Sequence, residues 1–208
     1  MKKNSNFRGI YAITPPERPF DFILERTSYL LQNGVKILQY RDKSKDSKKR
    51  YEEALQLKML CKQYDSFLII NDDVQLAWEV DADGVHLGDQ DEKLINARNI
   101  LGQEKRIGLS CYNAWQKAEA GIKAGADYVA FGSLFSSQTK PNAVRAALSL
   151  FQEIKMRYPH IPTVGIGGID FSNYIEVLDA GADAVAMISA LYSSIPPVPQ
   201  RLNHFLNR

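Results

Sequence analysis

The sequence lacks most of the features that would tie a protein together covalently or direct it to a membrane. Cysteine is scarce: Cys61 and Cys111 stand alone, with no CxxC pair and no Cys/His cluster around either. A disulfide framework and a zinc site are thereby excluded, and a reducing compartment fits. An excess of charge of one sign is also missing, since 26 Lys and Arg oppose 24 Asp and Glu for a formal net charge of +2. That balance excludes a protein whose main partner is duplex nucleic acid, so any cationic site must be local. No apolar run approaches membrane-spanning length. The polar start, Met1 to Phe7, has no apolar stretch behind Lys2 and Lys3, which predicts a cytoplasmic protein with no secretory signal.

What the chain does have is an ordinary globular composition, 45% hydrophobic and 24% charged over 208 residues. One domain spanning 1–208 is expected, and a chain this long hides roughly 70% of its unfolded surface without needing a staple. Eight short runs rich in β-branched and aromatic residues alternate with segments of helical period. The runs are Gly9–Thr14, Val35–Arg41, Phe67–Asn71, Gly84–Gly88, Arg106–Ser110, Tyr128–Gly132, Thr163–Gly167 and Ala184–Ser189. Helices are expected over Pro19–Gln32, Ser47–Gln63, Val74–Glu79, Glu92–Leu101, Ala114–Lys123, Val144–Tyr158 and Ser172–Asp179. A closing helix is expected over Gln200–Leu206, after the break at Pro196, Pro197 and Pro199.

Four recurring marks, Asn33-Gly34-Val35, Asp81-Ala82-Asp83-Gly84, Gly125-Ala126-Asp127 and Gly181-Ala182-Asp183, separate a helix from the next run. In three of them a glycine can end the helix in the left-handed conformation. Eight βα units without a long insert predict an α/β fold of the closed (β/α)8 TIM-barrel type. An open doubly wound sheet is the runner-up. Against it, the first run leads into Thr14-Pro15-Pro16-Glu17 and not into a glycine-rich dinucleotide turn.

In such a barrel the chemistry sits where the strands end at their C-terminal side. Gln39 and Arg41 are two apart on one run and so share a face; Lys43 follows if the chain stays extended. A planar Arg fork beside a mobile Lys charge suits a pyrophosphate, although a solvated Arg-Asp-Lys loop is an open alternative. Asp72 and Asp91 end adjacent units, and two carboxylates facing basic residues suit Mg²⁺ that keeps waters and takes phosphate oxygens. Helix capping by Asp73 and Asp91 competes with that reading. His86 alone reads as a packed strand residue before it reads as a ligand. Ser136 to Lys140 is a hydroxyl-rich loop ending in a cation, which an ordinary polar turn also explains. Gly167-Gly168 and Ile188-Ser189 occupy the standard phosphate position of barrels, where backbone N–H groups approach an anion.

Taken together these segments resemble the thiamine-phosphate synthase family, and the likeness runs from Gly9-Ile-Tyr-Ala-Ile-Thr14 to Met187-Ile-Ser-Ala190. The resemblance implies a Mg²⁺-dependent transferase that joins a pyrimidine pyrophosphate to a thiazole phosphate, releasing pyrophosphate through a dissociative, carbocation-like step. It implies roles residue by residue. Gln39, Arg41, Lys43, Asn71, Ser110 and Lys140 would contact the pyrimidine substrate, and Asp72 and Asp91 would hold the metal. Ser137, Thr139, Gly168, Ile188 and Ser189 would hold the thiazole phosphate. Arg41, Lys43 and Lys140 would stabilise charge with no covalent intermediate. The chain departs from the family pattern in Ser136-Ser137 where Pro-Thr is common, in Asp89-Gln90 before Asp91, and in Cys111-Tyr112 after Ser110. These departures touch the shape of the thiazole pocket more than the reaction.

Three rivals remain at this point. A thiazole tautomerase of the same superfamily would have no use for the pyrophosphate grip. A phosphosugar aldolase would use Lys140 as a Schiff-base amine. A regulatory barrel would bind a phosphate ligand without turnover. The expected partners are two small phosphorylated substrates, with neither nucleic acid nor membrane, and a homo-oligomer is left open.

Overall fold

Eight parallel strands close on themselves in chain order in the computed structural model, which describes residues 7–88, 91–136 and 144–193. The strands are β1 (Gly9–Ile13), β2 (Ile37–Tyr40), β3 (Phe67–Asn71), β4 (Gly84–Leu87), β5 (Arg106–Tyr112), β6 (Tyr128–Phe131), β7 (Thr163–Ile166) and β8 (Ala184–Met187). The helices between them are α1 (Phe20–Gln32), α2 (Ser47–Gln63), α3 (Val74–Glu79), α4 (Asp91–Leu101), α5 (Trp115–Lys123), α6 (Ser149–Arg157) and α7 (Tyr174–Asp179). The pairing of β1 with β8, Gly9 opposite Ala184 and Ala12 opposite Met187, completes the ring and rules out the open sheet.

Strand side chains alternate between two apolar layers, as a parallel sheet buried on both faces requires. Ile10, Leu38, Ile70, Val85, Leu109, Val129, Val185 and their neighbours pack outward against the helices. Tyr11, Ile13, Ile37, Ile69, Tyr128, Ala130, Val164, Ala184 and Ala186 fill the barrel, with Phe7 among them. Most expected boundaries hold to within two residues, and α2 and α3 match at both ends. The sixth helix departs most. Expected from Val144, it starts at Ser149, because Ala146 donates its N–H to Ser133 O at 2.9 Å and is buried there, which holds the segment as a loop. The expected closing helix, Gln200–Leu206, lies outside the described residues.

The marks between helix and strand do two kinds of work. Gly34, Gly125 and Gly181 have φ of 90°, 97° and 102°, the left-handed geometry that ends a helix. The aspartates beside them close the lower rim. Asp83 accepts from Leu68 N at 2.8 Å and pairs with Lys58 of α2. Asp127 accepts from Ile107 N at 2.7 Å and pairs with Arg98 of α4. Asp183 accepts from Thr163 N at 2.7 Å and pairs with Lys155 of α6. Each carboxylate ahead of an even-numbered strand thus satisfies an N–H of the odd-numbered strand before it, together with a helix cation.

Candidate active site

The opposite, C-terminal rim carries those residues singled out by sequence that fall among the described residues. Inward parity brings Gln39 at the top of β2, Asn71 at the top of β3, Ser110 near the top of β5 and Ile188 just past β8 to one mouth. Arg41, the next inward position after Gln39, is anchored by its backbone N–H donating to Thr14 Oγ1 at 2.9 Å. The intervening Asp42 turns outward onto Lys49 at 2.7 Å, so it does not neutralise Arg41. Lys43 is exposed, and neither Arg41 nor Lys43 has an ion-pair partner among the described residues.

Asp72 follows β3 with φ of 61°, in the left-handed region that few residues other than glycine and asparagine adopt. Its N–H donates to His86 O at 2.9 Å and its Oδ2 accepts from Asn71 Nδ2 at 2.8 Å. A side-chain carbon placed on Gly88 would stand 4.0 Å from Asp72 Oδ1, so the segment leaving β4 passes beside this carboxylate. Three residues later Asp91 begins α4, at most roughly 11 Å along the chain from Gly88. The Asp91 side chain lies outside the described residues. Asp73, by contrast, is a helix cap: it accepts from Leu76 N at 2.9 Å and pairs with Arg50. The capping alternative therefore holds for Asp73 and separates it from Asp72.

On the far side of the mouth, Gly167 and Gly168 have φ of 99° and 65°. A Cβ on Gly168 would lie 2.5 Å from Ser136 O, so only glycine lets the loops after β6 and β7 touch there. Phe135 N donates to Gly167 O at 2.9 Å, and Asn173 Nδ2 donates to Gly168 O at the same distance. Ile188 is partly buried and Ser189 exposed, where Leu191 N and Tyr192 N fold back onto Ile188 O at 3.1 Å. Ser137, Thr139 and Lys140 lie outside the described residues.

A feature absent from the sequence reading lies just beneath the mouth. Gln39 Nε2 donates to Tyr11 Oη at 2.8 Å, Tyr11 Oη meets Tyr128 Oη at 2.9 Å, and Tyr128 Oη meets His86 Nδ1 at 3.0 Å. His86 Nε2 meets Ser110 Oγ at 2.9 Å. Five strands thereby contribute to one buried polar chain. Burial drives the His86 pKa down to about 4, against a smaller opposing effect of the Asp72 charge, so the ring is neutral at pH 7. Burial also raises the pKa of both phenols. His86 is a packed strand residue, as expected, and its ring stacks on Tyr128 at 5.5 Å. The sequence signal for this chain is faint: a polar-tipped ring inside Ile10-Tyr11-Ala12, Val85-His86-Leu87 and Asp127-Tyr128-Val129.

Among the described residues no group of three or more His, Cys, Asp or Glu side chains is gathered as a metal cluster, and no helix is long and apolar enough to cross a membrane. The donor set at Asp72 is nevertheless of the right kind for a hard cation. It is a carboxylate with Oδ2 held by an amide, Oδ1 4.0 Å from where a Cβ on Gly88 would stand, and cationic side chains in the segment after the neighbouring β2.

Comparison with known proteins agrees with this geometry. The chain is 46% identical to a thiamine-phosphate synthase of Nitrosococcus oceani over 92% of this chain and 88% of that protein. It is 46% identical to one of Halorhodospira halophila over 94% and 92%. Its fold superposes on the thiamine phosphate pyrophosphorylase of Pyrococcus furiosus with a TM-score of 0.81 at 31% identity, covering 96% of this chain and 94% of that one. The sequence model of the family described as thiamine monophosphate synthase matches residues 10–191, and with a likeness that spans the whole barrel the chain belongs to that family.

Proposed function

We propose that the chain transfers a 4-amino-2-methylpyrimidin-5-ylmethyl group from its pyrophosphate ester to the ring nitrogen of a thiazole phosphate. The products are thiamine phosphate and pyrophosphate. The observation that carries the reading is the uncommitted charge at one rim: Asp72 after β3, and Arg41 and Lys43 after the adjacent β2, without mutual ion pairs among the described residues. Charges left open in this way are available to a polyanion and its counter-ion.

Membership in the family supports the reaction type, a transferase that releases pyrophosphate. The carbon–oxygen bond to the methylene breaks with its electron pair leaving on pyrophosphate, and the thiazole nitrogen lone pair then forms the new carbon–nitrogen bond. The chain's part is electrostatic and positional. Arg41, Lys43 and Lys140 take up the charge that develops on the leaving oxygens, and Gln39, Asn71 and Ser110 hold the pyrimidine. Asp72 and Asp91 would hold Mg²⁺, which when bound adds positive charge against the pyrophosphate. Gly168, Ile188 and Ser189, with Ser137 and Thr139, would receive the thiazole phosphate through backbone amides and hydroxyls. A cytosolic setting, with the two substrates as partners, goes with this reading; Cys61 and Cys111 are free and buried.

The test is pyrophosphate release with both substrates and Mg²⁺, repeated with each component omitted. Release that needs all three supports the reading. Thermal stabilisation by the ligands with no pyrophosphate formed would favour a sensor, and borohydride trapping of Lys140 with a carbonyl substrate would favour an aldolase.

A further inference from the structure

The buried chain from Gln39 to Ser110 has a direction. A phenol has one hydrogen to give, so once Gln39 Nε2 donates to Tyr11, the Tyr11 hydrogen must go to its other partner, Tyr128. Among the described residues Tyr128 then has only His86 Nδ1 to donate to, which makes Nδ1 an acceptor and leaves the imidazole proton on Nε2. Nε2 donates in turn to Ser110 Oγ, whose own hydrogen is left for the mouth. At the other end Gln39 Oε1 accepts no hydrogen bond among the described residues. Reversing any one member, for instance by flipping the Gln39 amide, would reverse all five, because a buried phenol whose hydrogen faces another hydrogen forfeits its bond.

We propose that Tyr11, Tyr128 and His86 are positioning residues that fix the polarity of the pyrimidine pocket, presenting a carbonyl acceptor at Gln39 and a hydroxyl donor at Ser110. That pair is complementary to an aromatic ring bearing an amine donor beside a ring-nitrogen acceptor. It is opposed to the same ring with a carbonyl and a ring N–H. This rests on the transferase reading for the identity of the ligand and deepens it by naming what selects the ring.

The barrel is built to hold the chain in place. Tyr128 and Tyr11 are each about 1% exposed or less, and Phe7 packs on Tyr128 with ring centroids 4.3 Å apart. Gly108 on β5 leaves the space that the Tyr128 ring occupies: a Cβ there would lie 2.0 Å from Tyr128 Cζ. Below them Arg106 closes the barrel with its guanidinium 4.0 Å over the Phe67 ring.

The deciding measurement is the His86 tautomer, read by long-range proton–nitrogen correlation in ¹⁵N-labelled protein, with the signal assigned by its loss in His86→Gln. A single Nε2–H tautomer is expected. An Nδ1–H tautomer, or an averaged mixture of the two, overturns the proposal whether or not the protein turns over substrate. The functional arm compares the pyrimidine pyrophosphate with its 4-oxo analogue. Tyr128→Phe should raise KM for the pyrimidine substrate about tenfold and cut discrimination against the 4-oxo ring by a similar factor, with KM for thiazole phosphate unchanged. A structural role alone would lower the folded fraction and leave discrimination intact, which would also overturn the proposal. Absence of turnover in the wild type, with the Nε2–H tautomer present, would instead sink the transferase reading and leave the polarity of the chain standing.

Discussion

The lower rim of this barrel commits three aspartates to backbone and cation alike, whereas the upper rim leaves one of its aspartates, Asp72, open. At the lower rim Asp83, Asp127 and Asp183 each accept from a strand N–H and face a helix cation. At the upper rim Asp72 accepts from Asn71 alone, while Arg41 and Lys43 stand apart from it without ion pairs among the described residues. A carboxylate that completes the backbone contributes to stability; one that is left open is available to a ligand. The upper rim is not uniform, since Asp42 and Asp73 there are paired with Lys49 and Arg50, so among the aspartates ending β2 and β3 it is Asp72 that is left open, at the end of the strand where barrels of this kind place their chemistry.

The largest effect should come from the open end. Asp72→Asn is expected to lower kcat/KM for the pyrimidine substrate by roughly 10²–10³-fold, the scale of losing one preorganised charged contact in a transition state. Its melting temperature should stay within about 2 °C of the wild type, since asparagine tolerates the φ of 61° and the Asp72 side chain accepts from no backbone N–H among the described residues. Asp91→Ala should behave in the same way. An unimpaired rate in either variant, measured by pyrophosphate release, would remove that residue from the proposed metal site and blur the contrast between the rims.

Asp127→Ala at the closed end should invert the pattern. The Ile107 N–H would lose its acceptor, and Arg98 would lose a partner at 2.6 Å where both side chains are about 15% exposed. Loss of an acceptor from a part-buried donor costs roughly 2–3 kcal/mol, which for a chain of this size lowers the melting temperature by roughly 5–10 °C. Activity per folded molecule at low temperature should be unchanged. A variant as stable as the wild type but slow would mean that the lower rim communicates with the site.

How much of this was legible beforehand differs between the two rims. The upper residues could be named because strand ends follow from hydrophobic periodicity, and an Asn-Asp-Asp or Gln-Tyr-Arg-Asp-Lys run stands out against an apolar strand. The sequence also offered Asp73 as a helix cap beside Asp72 as a metal ligand; what it did not contain is the bond of Asp73 to Arg50 or the φ of 61° that sets Asp72 apart from it. The lower aspartates were visible as punctuation, yet only the glycines' part in it could be read. The work of Asp83, Asp127 and Asp183 is done on the neighbouring strand, and neighbours exist only once the barrel has closed. The chain through Tyr11, Tyr128 and His86 was hidden for the same reason: its members lie on strands 1, 6 and 4, up to 117 residues apart, and meet across the interior. The start of α6 was misplaced because Val144 to Leu148 reads as helix by propensity, and a single tertiary hydrogen bond to Ser133 outweighs it.

The smallest expected effect separates two members of the lower set from each other. Lys58 pairs with Asp83 at 3.0 Å, but the side chains are 20% and 29% exposed, and Asp83 keeps its bond from Leu68 N when the lysine is gone. Arg98 is more buried, and besides Asp127 it donates to the carbonyls of Gly102, Lys105 and Gly125. Lys58→Met should therefore cost no more than about 1 kcal/mol, a shift of roughly 2–4 °C that shrinks further in high salt. Arg98→Met should cost more and respond less to salt, because it removes bonds to three carbonyls, one of them part-buried, as well as the closer and less exposed ion pair with Asp127. Thermal melts of both variants at low and high ionic strength would make the comparison. Equal losses would show that the lower rim is held by its cations. A large gap would show that the carboxylate-to-backbone bonds hold it, with the helix cations adding stability only where they also reach main-chain oxygens.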